Sequence, residues 1–340
     1  MAETDFDIVV IGADAAALPV LQRSAVAGLS VASFLPQEAH PAELLSQSLR
    51  SLNSRLARQN SFNEQFLRLK PTPQLLRRMF SQAVCGTYSE LHQQLSQLGA
   101  FVFQGLPKFA PQKPSGHHVM NWRQQTITSK HVVLATGLQY LPLQPCSATE
   151  RFWRQVQPHG FRNVQMRFMH EVFELPELPA RSVIVGGHEF GAHMATLLQC
   201  LGVSTTLLAE QSGNSVAFEM AECVGVRIQP GVGTEVLNAS HNAVFDLRRV
   251  QGLSRDLDLD AIGITPDESG QLWCGDGFET WCPRVFGAGS LVGFTTESAT
   301  APDEVASRIL ARIHRLPLRP HLLRRYKGLD QLAGQIPKAV

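Results

Sequence analysis

Nowhere in the 340 residues is there a run of about 18 apolar residues of the kind a membrane span requires. The N-terminal segment MAETDFDIVV also lacks a basic stretch ahead of an apolar core, so no secretory leader is read in it, and a cytoplasmic protein without a membrane span is expected. An excess of one charge is missing too. Thirty Lys and Arg oppose 29 Asp and Glu for a formal charge of +1, which leaves no global field for nucleic acid or an anionic membrane. The six cysteines show no C-x-x-C and no metal-ligand spacing, and none lies between Pro36 and Met79. They are read mostly as buried thiols, and a disulfide between Cys274 and Cys282 is disfavoured in a reducing compartment. Low-complexity tracts are also absent. A chain of this length, 44% hydrophobic and 17% charged, is expected to be globular with room for two domains.

What is present is a glycine-punctuated pattern of strands and helices. Ser182 to Glu210 reads as a β-branched strand (Ser182 to Val185), a break at Gly186-Gly187, a helix from Ala192 to Leu201 and a second strand from Val203 to Leu208. This is one βαβ half of a dinucleotide fold, in which glycines permit a tight turn and close backbone approach to a pyrophosphate at a helix N-terminus. On the template G-x-G-x-x-G beginning at Gly186, His188 holds the second glycine position and Gly191 the third. Asp7 to Ala17 begins a second such unit. Ile8 to Ile11 form the strand, the turn Gly12-Ala13-Asp14 leads through Ala16 into a helix from about Ala15 to Ala27, and Val31 to Leu35 form the next strand. Asp14 therefore puts a carboxylate where a diphosphate is expected, and Leu35 stands where an acidic residue would hold a ribose.

From Ala42 to Leu98 the chain is polar and helical, with breaks expected at Pro71 to Pro73 and at Gly86. Phe101 to Phe103, Val119 to Trp122 and Gln125 to Ile127 suggest a small antiparallel meander, and His117-His118 a surface loop. Val132 to Ala135 reads as a buried strand closed by the Thr136-Gly137 turn. Ala261 to Gly263 reads as another strand end. Pro283 to Gly289 reads as a last strand and turn, and Ser298 to His314 as an amphipathic helix. His188, Glu189 and His193 do not make a metal pair, because the imidazoles are five positions apart and not the four that would put both on one helical face.

Five landmarks in this order, VVIGADAAAL, VVLATGLQYLP, VIVGGHEFGAHMA with LGVSTTLLAE, DAIGITPD and PRVFGAGS, together resemble the pyridine nucleotide-disulfide oxidoreductases. The resemblance implies an α/β fold of two Rossmann-like domains, the NAD(P)-type domain inserted in the FAD-type domain. On that pattern residues 1–145 are the first part of the FAD-type domain, 146–265 the insert, 266–315 the return segment and 316–340 a basic tail. It also implies FAD and NAD(P)H as cofactors, bound around Gly12, Ala13, Asp14, Ala16, Leu35, Thr136, Gly137, Gly289 and Ser290 for the flavin, and Gly186, Gly187, His188, Gly191 and Glu210 for the nicotinamide nucleotide. The family's redox-active cysteine pair has no counterpart after Leu35, and Ser290 replaces the aspartate that ends its return-segment motif. Two readings follow. One is a degenerate member with impaired or lost FAD and NAD(P)H binding, acting as a binding or partner subunit or a homo-oligomer. The other is an FAD- and NAD(P)H-dependent oxidoreductase without the disulfide. A groove holding another small metabolite is a third.

Overall fold

The computed structural model describes residues 3–36, 42–62, 73–112, 116–140, 165–167, 178–186, 188–209, 215–230, 243–248, 250–295 and 301–314. In chain order its regular elements begin with β1 (Glu3–Ile11), α1 (Ala17–Val26), β2 (Val31–Leu35), α2 (Ala42–Phe62), α3 (Pro73–Gln97) and β3 (Phe101–Gln104). There follow β4 (Lys108–Ala110), β5 (His118–Trp122), β6 (Gln125–Leu134), β7 (Leu138–Tyr140), β8 (Gln165–Arg167) and β9 (Arg181–Gly186). Next come α4 (His188–Cys200), β10 (Ser204–Ala209), α5 (Val216–Cys223), β11 (Arg227–Pro230), β12 (Ala243–Leu247) and β13 (Val250–Gly252). The last are β14 (Leu272–Cys274), β15 (Val285–Gly287), β16 (Val292–Thr295) and α6 (Pro302–His314). The chain divides into two compact units, the first drawn from residues 1–41, 89–139 and 251–340, the second from 42–88 and 140–250.

The first unit is built on a seven-stranded sheet in the order β3-β2-β1-β6-β5-β4, with β15 also on β6. β1 has parallel neighbours on both sides, and its residues Ile8 to Ile11 are completely buried. A parallel strand covered on both faces must be a continuous apolar run, which is why IVVI carries no alternation. β6 shares its outer edge between two partners. Its first half pairs antiparallel with β5, and Val132 to Leu134 pair parallel with β15. The two short strands expected at Gln125 to Ile127 and from Val132 are thus one strand of ten residues. Phe101 to Phe103 do not join the meander. They form a parallel edge strand on β2, where Phe103 stacks on Phe34 at 4.8 Å. α6 turns Val305, Ala306, Ile309 and Ile313 inward and packs against α1.

The second unit has a five-stranded, all-parallel sheet in the order β11-β10-β9-β12-β8. Its core joins Ile184 and Phe245 from the sheet with Met194 and Leu197 from α4 and Leu49 and Leu52 from α2. α3 runs unbroken through Gly86, because a glycine inside a helix costs only about 1 kcal/mol, which packing repays. Ala261-Ile262-Gly263 ends a 3₁₀ turn rather than a strand, with Gly263 in a left-handed conformation.

Two expectations about side chains are corrected. His118 is fully buried in β5, not in a surface loop. Its Nδ1 accepts from Gln112 Nε2 at 2.9 Å and its Nε2 lies 3.1 Å from the Pro283 carbonyl. The cysteines are not uniformly buried: Cys85 and Cys223 are exposed on α3 and α5, where helix periodicity turns them outward, while Cys274 and Cys282 are buried and free. Cys146 lies outside the described residues. Among the described residues no cluster of His, Cys, Asp and Glu is arranged to hold a metal, and no helix is long and apolar enough to cross a membrane.

Candidate functional site

In open parallel sheets ligands lie beyond the carboxyl ends of the strands, at the point where the strand order reverses. In the first unit that point lies beside β1. The registers Ile11 with Phe34, Ile11 with Leu134, and Leu134 with Gly287 align the ends of β2, β1, β6 and β15. Gly12 to Ala16, Leu35, Thr136-Gly137 and Gly289-Ser290 leave the sheet from these ends, so nine of the residues picked out from sequence belong to one set of neighbouring turns.

The turn after β1 is held by the backbone. Gly12 N–H donates to the Phe34 carbonyl at 2.8 Å, Ala135 N–H to Ile11 at 2.8 Å, and Asp14 N–H to Ala135 at 3.0 Å. Gly12 has φ +119°, and a Cβ there would fall on the Ala135 carbonyl, so only glycine fits. Ala13 and Ala16 are buried in the same turn. Thr136 is also fully buried, and its Oγ1 has no hydrogen-bond partner.

Asp14 sits at the centre. Its side chain is 5% exposed and accepts from Ser290 twice, from Oγ at 2.5 Å and from N–H at 3.2 Å. The N–H groups of Ala16 and Ala15 lie near the same carboxylate and favour its charged form. Burial pushes the Asp14 carboxyl above its ordinary range, and the hydrogen bonds from Ser290 with the nearby Ala16 and Ala15 N–H groups pull it back only in part. Gly289, at φ +66°, lies so close that a Cβ would overlap the carboxylate. Asp14 and Ser290 are 276 residues apart, and no sequence signal pairs them.

These residues do not fit FAD as they stand. The donors that would face a diphosphate are already engaged by a side-chain carboxylate, and a second anion beside it would be repelled by several kcal/mol at low dielectric. Leu35 is 4% exposed and offers no acceptor for a ribose, while its carbonyl already takes the Gly105 N–H at 2.8 Å.

The second unit differs. Gly186 ends β9 at φ +75°, and a Cβ on Gly191 would fall on the Gly186 carbonyl, so α4 packs tightly over the strand end. His188 begins α4 at φ +44° and is exposed. It takes the left-handed conformation that glycine adopts freely, at a cost of about 1 kcal/mol. Arg248, which follows β12, lies over this turn. A Cβ on Gly186 would be 3.0 Å from its Cγ, and Arg248 was not read as a site residue from sequence because an arginine after a strand has no distinguishing pattern. Of the residues expected to hold a nicotinamide nucleotide, Gly186, His188 and Gly191 gather at the carboxyl end of β9. His193, by contrast, is buried against α2, where Asn53 Nδ2 donates to its carbonyl at 2.9 Å, and it does not line the turn. Gly187 and Glu210 lie outside the described residues.

Two units whose central strands are parallel, each with a glycine turn running from a strand into a helix, define a Rossmann-like type of α/β fold. Comparison with known proteins gives the same class. The chain is 21% identical over 231 residues to the soluble pyridine nucleotide transhydrogenase of Pseudomonas putida, covering 60% of this chain and 46% of that protein. It is 22% identical over 217 residues to the dihydrolipoyl dehydrogenase of Halobacterium salinarum, covering 55% of this chain and 43% of that one. The chain thus spans less than half the length of the curated relatives it matches. Its fold matches that of the HOCl-induced flavoprotein disulfide reductase of Escherichia coli with a TM-score of 0.59 and 16% identity, over 92% of this chain and 71% of that one. No protein-family model matches. These relatives and this structural neighbour are pyridine nucleotide-disulfide oxidoreductases or their kin, and the chain is similar to them in part of its sequence and in its fold.

Proposed function

We propose that this chain is a degenerate member of the family, without disulfide reductase activity and with the flavin site of its first unit closed, that works in the cytoplasm as a binding or partner subunit. In this reading residues 1–145 and 266–315 supply the FAD-type domain, 146–265 the NAD(P)-type insert, and 316–340 a basic tail. The observation that carries it is the Asp14 carboxylate held by Ser290 where the flavin diphosphate would need those donors. Two further facts support it. No cysteine lies between Pro36 and Met79 to serve as the dithiol, and Leu35 offers no ribose acceptor. The second unit has glycines where the strand ends and where the helix packs over it, Gly186 and Gly191, which supports a reading in which it binds a nicotinamide nucleotide without flavin chemistry.

A second reading, an FAD- and NAD(P)H-dependent oxidoreductase lacking the redox-active disulfide, is favoured by Thr136 Oγ1. This fully buried hydroxyl, in the turn after β6, has a hydrogen bond left to make that a ligand would supply in this reading. The two readings separate in the visible spectrum of the purified protein. The first expects no flavin absorbance, before or after incubation with FAD and gel filtration. Stoichiometric flavin in the protein as purified overturns it.

A further inference from the structure

We propose that the outer face of the ribbon formed by β14 and β16 in the first unit is a docking surface, and that its occupant is the basic segment of this same chain, residues 316–340. Neither the surface nor its occupant depends on whether the flavin site is closed.

The ribbon presents an aromatic face that nothing else in the unit covers. β14 and β16 run parallel, with Trp273 opposite Phe294, and among the described residues they form a sheet of two strands. Parallel strands are ordinarily covered on both faces. Here Leu272 and Cys274 are buried on one side, while Trp273 and Phe294 are 48% and 52% exposed on the other, their ring centroids 5.0 Å apart. Single exposed apolar side chains are common on any protein surface and need no partner. A Trp stacked on a Phe across two strands is instead the kind of aromatic anchor on which interfaces concentrate their binding energy.

Charge selects the occupant. From Asp267 to Thr295, the stretch that builds the ribbon, four Asp and Glu stand against a single basic residue, Arg284. Glu268 and Asp276, on either side of β14 in the chain, are exposed and make no ion pair among the described residues. A second copy of the chain would set this acidic face against itself, at an electrostatic cost. Residues 316–340 have the opposite character. They carry five Lys and Arg against one Asp, interleaved with Leu316, Leu318, Leu322, Leu323 and Tyr326. A guanidinium stacks well on an aromatic face, and the leucines supply apolar surface to cover the rest of the rings.

The segment also starts beside the ribbon. α6 ends at His314, and its last turn is fixed to the chain just after β14. Arg312 Nε donates to Glu279 Oε2 at 2.8 Å, and a Cβ on Gly277, three residues past β14, would be 2.7 Å from Arg312 Cβ. The chain beyond α6 can span at most roughly 80 Å when extended, so the neighbouring ribbon is well within its reach.

The test is photo-cross-linking in the full chain. With Phe294→p-benzoylphenylalanine, irradiation of dilute protein and peptide mapping should join position 294 to a peptide from residues 316–340 within a single chain. The yield should stand well above that from a control at exposed Phe101, Phe101→p-benzoylphenylalanine. Adding Arg324→Glu and Arg325→Glu should lower it by about threefold or more, the scale of losing exposed charge contacts, and molar salt should act in the same direction. Carbodiimide coupling of the unsubstituted chain reports the same contact, and should join Lys327 or Lys338 to Glu268 or Asp276 within one chain. Cross-links from position 294 only to a second copy or only to other segments overturn the proposal. So does a yield no higher than at position 101, or one indifferent to the arginine changes. If the substituted chains fail to fold, absence of the carbodiimide couplings in the unsubstituted chain overturns it.

Discussion

Gly12 and His188 hold comparable turns by different means. At Gly12 the Ala135 carbonyl leaves no room for a side chain, so the glycine is required by the sheet whether or not a nucleotide binds. His188 takes a left-handed conformation with its ring in solvent, so at this position a side chain is tolerated and only strain is paid. His118 is the residue whose charge state matters most for the fold. Burial lowers its pKa from 6.5 to about 4, and the neighbouring His131, Arg284 and His117 oppose a further positive charge. With Nδ1 accepting from Gln112, the neutral ring donates from Nε2 to the Pro283 carbonyl, tying β5 to the return segment. The folded-state value lies below that of the unfolded chain, so the stability due to His118 is complete above pH 6.5 and lost as the pH falls towards 4. Urea unfolding at stepped pH should show a loss of roughly 2–3 kcal/mol across that window, flattened in His118→Gln. Nothing in the local sequence marks His118 as buried, because its partners Gln112 and Pro283 come from a loop and from 165 residues away.

At the scale of elements, the strands were easier to read than their pairing. Ile8 to Ile11 and Val183 to Val185 are apolar throughout because both faces of a parallel sheet are covered, and this pattern is visible in one dimension. That β6 would run ten residues and divide its edge between β5 and β15 was not visible, since it depends on where the return segment docks. Phe101 to Phe103 illustrate the same limit. An alternating aromatic run is equally good for a meander or for a parallel edge, and packing of Phe103 on Phe34 and Trp122 decides. The amphipathic pattern of α6, by contrast, matches its buried face residue for residue at Val305, Ile309 and Ile313. Ile309 is completely buried, and Ile309→Ala should destabilise the first unit by about 2–5 kcal/mol, measured by denaturant unfolding.

For the whole molecule, thiol accessibility provides a map that does not depend on any ligand. Cys85 and Cys223 are exposed, while Cys274 and Cys282 are buried in the first unit, with the Cys274 thiol pushed up to about 11 by desolvation. Alkylation of native protein followed by peptide mapping should label Cys85 and Cys223 within minutes and leave Cys274 and Cys282 unmodified until denaturant is added. Early labelling of Cys274 would show that the sheet around β14 and β15 opens well below global unfolding. No dithiol chemistry is expected from the exposed pair. Cys85 sits in the middle of α3, outside the stretch after Leu35 where the family places its redox cysteines.

The order of glycine turns and apolar strands was enough to identify two dinucleotide-type units, because turn geometry and strand burial are local demands that each segment must meet by its own composition. Through the family resemblance it also singled out Asp14 and Ser290, each as a separate departure from the family's pattern. Only the tertiary structure decided that the two departures are one contact. Hydrogen bonding between residues 276 apart is set by which strand ends the sheet aligns, and the alignment of β1, β6 and β15 carries the carboxylate of one turn onto the hydroxyl and amide of the other.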